Sequence, residues 1–145
     1  MNHSATKLEI IRDEEHFLAL EPHWDSLLDR SAIKTPFRTW DWTRIWWQHF
    51  RKDYQLRVGV LKDAHGTPQA IAPFMLGRET SGSRQHLRYL TLIGGLGDVL
   101  SEGLDLLVPK GQEQTLIPQF APLVRQLKRE WDVIDVPMLH EESPS

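Results

Sequence analysis

Hydrophobic positions change their period several times along this chain, and each change predicts an element. Leu8–Ile11 reads as a short first strand. Asp13 then offers an N-cap, with Glu14, Glu15 and His16 in the first turn and Phe17 and Leu20 starting an apolar stripe. Pro22 has no N–H and would clash with the preceding turn. A break is therefore expected near Glu21, with Pro22 at the first position of a second helical piece carrying Trp24, Leu27 and Leu28. Ser31–Pro36 reads as a loop. Thr39 is placed to cap the next helix, with Asp41 near its positive end.

In that helix, about 100° per residue puts Asp41, Arg44, Gln48, Arg51 and Lys52 into one polar arc. Trp40, Trp42, Ile45, Trp46, Trp47, His49 and Phe50 fill the rest, roughly 220° against the ~100° or more of an ordinary surface helix. Cover on two sides is expected, and His49 is expected to be a hydrogen-bonded core residue.

Leu56–Lys62 and Gln69–Arg78 read as strands joined by a hairpin turn at Asp63-Ala64-His65-Gly66, where glycine supplies the positive φ. Pro73 removes a ladder donor and so marks an edge or a bulge. His86–Leu92 reads as a further strand, followed by a loop through Gly94, Gly95 and Gly97 and a strand at Leu104–Val108. A helix from about Glu113 to Arg129 carries Leu116, Phe120, Leu123, Val124 and Leu127 at helical spacing. Trp131–Val136 reads as a final buried strand. The order predicts an α/β (α+β) fold, a mixed and mostly antiparallel sheet flanked by helices.

The chain has 145 residues, a length that suits one domain with one core. We read 1–145 as that domain, with an ordered core over 8–139. Net charge is −3 and the 17 Lys and Arg are scattered, which disfavours nucleic acid as a partner. Cysteine is absent, so disulfides and thiolate chemistry are excluded. Met1–Glu9 lacks the apolar segment of a signal peptide, and no apolar run approaches the ~20 residues of a membrane helix. A cytoplasmic protein without a membrane span is expected. The seven histidines show no HxxxH or HExxH spacing, so no metal site is expected.

Four local patterns occur in order: Thr35-Pro36-Phe37 followed by Trp42, Trp46-Trp47 and Phe50; Gly66 followed by Ile71-Ala72-Pro73-Phe74; Leu92 with Gly94, then Ser101–Asp105; and Trp131-Asp132-Val133. With them the chain resembles, over roughly Leu8 to Ser145, the amino-terminal half of CelD-like acetyltransferases of the GNAT superfamily. The resemblance implies a GNAT-like lobe of an N- or O-acyltransferase acting in cellulose or exopolysaccharide and cell-envelope biosynthesis. It implies a FemABX-like two-lobe architecture, a second GNAT-like lobe as partner, and acetyl-CoA or another acyl-CoA as cofactor of the full-length protein. On that expectation the lobe is incomplete at its C-terminus, and 140–145 is a truncated connection. Glu102-Gly103 departs from the Asp-Tyr usual in the family.

GNAT enzymes hold pyrophosphate on a Gln/Arg-x-x-Gly-x-Gly/Ala loop at a helix start. Here that helix is entered by Val108-Pro109-Lys110-Gly111-Gln112-Glu113, with one glycine and an acid where phosphate would sit. No cofactor is therefore expected on this lobe, which is read as non-catalytic alone and as part of an acceptor groove. Its candidate substrate contacts are Trp40 and Trp47 on the edge of the aromatic arc, and Asp98, Ser101, Glu102 and Asp105 beside the glycine loop. Gly95-Leu96-Gly97 begins like a dinucleotide fingerprint but lacks the third glycine and a following helix. No catalytic residue is assigned. The alternative is a stand-alone module binding carbohydrate or protein through the Trp-rich helix, where the aromatics serve either as a stacking platform or as core.

Overall fold

The computed structural model describes residues 6–32, 34–78, 87–95 and 105–134. Its frame is a five-stranded sheet in the order β1 (Lys7–Ile11), β2 (Gln55–Lys62), β3 (Pro68–Gly77), β4 (Tyr89–Leu92) and β5 (Val133–Ile134). The first three pairings are antiparallel and β4–β5 is parallel. A parallel neighbour needs a crossover, and the helical segment between β4 and β5 provides it. The mixed, mostly antiparallel α+β fold is therefore present.

Alternation along the strands divides the core in two. Leu56, Val58, Val60, Ile71 and Met75 face a layer formed by α1 (Glu14–Leu18), α2 (Glu21–Arg30) and α3 (Trp40–Phe50). Leu61, Ala70, Ala72, Phe74, Leu90 and Leu92 face α4 (Glu113–Leu116), a 3-10 turn (Ile117–Phe120) and α5 (Ala121–Gln126). The α1–α3 layer is aromatic. Phe17 lies 5.1 Å from Trp40 and 6.1 Å from Trp24, ring centre to ring centre, and Trp24 lies 5.4 Å from Trp40. Each such pair contributes about 0.5–1.5 kcal/mol beyond its buried area.

Local chemistry sets the boundaries. The Asp13 side chain accepts the His16 N–H at 2.9 Å, and the Thr39 hydroxyl accepts the Trp42 N–H at 3.3 Å. The break before Pro22 is real, but α2 begins one residue earlier, at Glu21, and Pro22 takes its second position. At the hairpin, Asp63 Oδ1 accepts the N–H groups of His65 and Thr67, and Gly66 has φ +80°.

Several expectations are corrected. Pro73 stands at neither an edge nor a bulge: β3 is paired on both sides, and the register shift in this hairpin lies at Leu61/Lys62. The Pro73 carbonyl accepts the Ile93 N–H at 2.8 Å, so the donor it lacks would face the same neighbour. That neighbour leaves the sheet after Ile93, and Leu107 takes over beside Ile71 through two backbone bonds of 2.8 and 2.9 Å. The strand expected at Leu104–Val108 is thus reduced to bridges, Leu107 with Ile71 and Pro109 with Ser31; Leu104 lies outside the described residues. The single helix expected from Glu113 is split, because Pro118 and Pro122 each remove a donor. β5 is not buried: Ile134 is 42% exposed.

Candidate functional site

The aromatic helix places its tryptophans inward. Trp40 is 2% exposed and Trp47 5%, and both pack on Phe17, so neither presents a ring face to a sugar. This corrects their placement at the edge of a binding arc. The Trp47 Nε1–H donates to Glu14 Oε1 at 3.1 Å, which ties α3 to the start of α1. His49 is exposed rather than in the core, and Ile45, at the edge of the apolar arc beside the polar one, is 54% exposed. Cover on two sides is therefore not complete.

Asp98, Ser101 and Glu102 lie outside the described residues. Asp105 does not sit on an open loop. It is 4% exposed, and its Oδ1 accepts the Leu106 N–H at 2.7 Å. The structure brings it together with Arg38, which sequence reasoning did not single out. Arg38 ends the 3-10 turn Pro36–Arg38, directly before the α3 cap Thr39, and its side chain is buried. Its Nη2–H donates to the Leu106 carbonyl at 2.6 Å, and its own carbonyl accepts the Trp24 indole N–H at 2.9 Å. Burial pushes the Arg38 guanidinium below its ordinary pKa, and the negative charge of Asp105 pushes it back up.

Arg38 and Asp105 border a narrow cavity with Trp24, Thr43, Pro73 and Ile93, at the point where the strand beside β3 is interrupted. Its free volume is about 10 Å³, room for one water at most. The pair can hold two chain segments in register. It has no space for an acceptor.

A second, open groove of about 320 Å³ lies toward the other end of β3, lined by Asp53, Gln55, Leu76, Gly77, Arg78, Arg88 and Glu130. Its charges are largely committed to one another. Arg57, with a side chain only 10% exposed, donates to Glu130 Oε1 at 2.7 Å, and Arg12 reaches the same oxygen at 3.3 Å. Arg88 holds Asp132 at 3.1 Å. Burial opposes ionisation of Glu130, but the bonds from Arg57 and Arg12 outweigh it and keep the carboxyl below its ordinary range. The Arg88 side chain and backbone N–H lower Asp132 to about 2. Carboxylates held below their ordinary range are weak bases, so Glu130 and Asp132 are poorly suited to abstracting a proton.

The helix start that corresponds to the GNAT phosphate loop carries an acid in the structure as well. The Gly111 N–H, at φ +90°, donates to the carboxylate of Glu113 at 2.6 Å. α4 is one turn long and Gln112 provides no side-chain cap. Among the described residues, no group of three His, Asp or Glu is placed to hold a metal ion, and no helix is long and apolar enough to cross a membrane. No protein-family model, curated protein or solved structure matches the chain.

Proposed function

We propose that this chain is a supporting lobe of a cytoplasmic GNAT-type N- or O-acyltransferase acting on an exopolysaccharide or cell-envelope precursor. In this reading it shapes one wall of the acceptor groove, and acyl-CoA is held by a second GNAT-like lobe. The carrying observation is topological: a first strand, a helical layer, the antiparallel β2–β4 meander, then a helical crossover to a fifth strand parallel to β4. That is the order the CelD-like resemblance implies. The division of labour is supported by Glu113, whose carboxylate occupies the Gly111 N–H that a phosphate would otherwise use and repels an anion there. The role of the lobe in such a reaction is orientation of the acceptor rather than bond making.

Isothermal titration of acetyl-CoA into the isolated chain is expected to give no binding heat; clear binding would overturn the supporting role. The protein encoded by the native reading frame is then assayed for label transfer from radioactive acetyl-CoA to glucan or lipid-linked sugar acceptors. Transfer is expected, and its absence with every acyl donor and acceptor would overturn acyl transfer itself. One observation favours protein over sugar in the alternative reading of a binding module. Trp40, Trp46 and Trp47 are buried, and what α3 leaves exposed is centred on the aliphatic Ile45.

A further inference from the structure

We propose that the first turn of α1 is a proton-sensitive joint: protonated His16 clamps Asp13 and holds the turn wound, and loss of that proton loosens it. The geometry carries this. His16 Nδ1 stands 2.7 Å from Asp13 Oδ1 and 2.9 Å from Oδ2, and the His16 backbone N–H donates to the same Oδ1 at 2.9 Å. An ionised carboxylate only accepts, so the ring nitrogen facing it must carry a proton. The imidazolium always meets that demand and adds a charge. The neutral ring meets it in one of its two tautomers only, and without the charge.

α1 depends on its cap more than the longer helices do. It has five residues, well below the roughly 12–15 under which an isolated helix is marginal. Phe17, 0% exposed against Trp24, Trp40 and Trp47, anchors it, so loosening is confined to the turn before that ring. The acids around His16 favour its proton: Glu15 from α1, and Glu9 from β1, which Lys62 of β2 holds at 2.9 Å. Arg12, just before the cap, turns to Glu130, and Glu14 is held by Arg51 from the end of α3. The bond to Asp13, and then its charge, raise the His16 pKa above the ordinary 6.5. Asp13 is held below its ordinary range, chiefly by the His16 backbone N–H, so of the pair only the ring titrates near neutral pH. A raised histidine pKa stabilises the folded turn fully below about 6.5, and that contribution is lost as pH rises through the folded value. Both side chains are more than half exposed, so the effect is local and salt screens it.

NMR titration of the whole chain is the test. The His16 ring should titrate above 6.5, and Asp13→Asn, which keeps a cap without the charge, should bring its midpoint down toward 6.5. Amide hydrogen exchange then reads the turn at residue 16 and at Phe17, whose N–H donates to the Asp13 carbonyl at 3.1 Å. With the intrinsic pH dependence of exchange removed, protection there should fall on the order of a few-fold as pH rises through the His16 midpoint. His16→Gln should abolish that step and leave protection in the sheet unchanged. A ring midpoint at or below 6.5, or one unmoved by Asp13→Asn, overturns the pairing. Flat protection across the midpoint, the same step in His16→Gln, or a fall shared by the whole sheet overturns the joint.

Discussion

Arg38 donates to the carbonyl of Leu106 at 2.6 Å across 68 residues of sequence, fastening the turn before α3 to the strand segment that bridges Ile71. The bond is made by a guanidinium in the interior, beside the nearly fully buried Asp105. Removing one member takes away an opposite charge that offsets the cost of burying the other. Arg38→Met should therefore cost about 3–5 kcal/mol in urea unfolding. Arg38→Met with Asp105→Asn should cost clearly less than the sum of the two single changes, because the two charges act on each other in the interior. Additivity within about 0.5 kcal/mol would show that the two side chains do not act together.

The strongest lowering of a carboxyl lies where Arg88 meets Asp132. The folded carboxyl titrates at about 2, against 3.8 for its ordinary value. A lowered carboxyl pKa stabilises the folded state above the unfolded pKa, and that contribution is lost as pH falls from about 3.8 toward 2. Because the pair is at the surface, the loss should be small. NMR titration of the Asp132 side-chain carbonyl is the direct measurement. Arg88→Gln should move its midpoint up toward the ordinary value, and an unmoved midpoint would show that Arg88 is not the cause.

Gly59 occupies the middle of β2, on the face covered by Phe120 and Leu123, where a methyl group would overlap Leu123 Cδ1. Gly59→Ala should destabilise by about 1–3 kcal/mol through overpacking. Leu123→Ala alone opens a cavity and should cost about 2–5 kcal/mol. Combined, the new methyl group enters the space the leucine vacates, so the double variant should be less destabilised than the two costs added. Thermal unfolding of all three variants checks this.

The first three strands of this fold were legible because their signals are local. Alternation around Asp63–Gly66 places β2 and β3 to within one residue, and Asp13 and Thr39 cap the helices they precede. Helical periodicity misled at the C-terminal side, where a regular apolar stripe runs through Pro118 and Pro122; the spacing is kept while the hydrogen bonds are not. The candidate site was harder to read. An apolar arc says which residues avoid water but not which neighbours cover them, and so Trp40 and Trp47 went inward while Ile45 and His49 did not. Arg38 was invisible because its partners lie far along the chain, and nothing in the run Thr35–Thr39 distinguishes a buried arginine from a solvated one. The one available signal was Pro73: a strand residue that cannot donate foretells an irregular neighbour, and Arg38 and Asp105 border that irregularity.

Tryptophan fluorescence separates the buried rings from the exposed ones. Trp24, Trp40, Trp46 and Trp47 are buried, while Trp42 and Trp131 are half-buried. Emission should be blue-shifted, and acrylamide quenching should fall mainly on the latter two. Trp42→Phe should remove a large share of that quenching with little change in stability. Oligosaccharides should leave the spectrum unchanged, and a saturable shift that survives Trp42→Phe and Trp131→Phe would reopen sugar stacking on the inner rings.

Thr91 offers a case where a smaller polarity should be better. It lies in β4 opposite Met75, 0% exposed, and its hydroxyl has no hydrogen-bond partner among the described residues. Burying such a group without a bond costs about 1–3 kcal/mol relative to water. Valine has nearly the same shape, keeps the β-branch that suits a strand, and carries no hydroxyl. Thr91→Val should therefore raise stability by about 1 kcal/mol or more in urea unfolding. Thr91→Ser, which retains the hydroxyl and removes a buried methyl group, should lower it. If valine instead destabilises, the hydroxyl has a partner such as an internal water, and the interior beside β4 is wetter than its packing indicates.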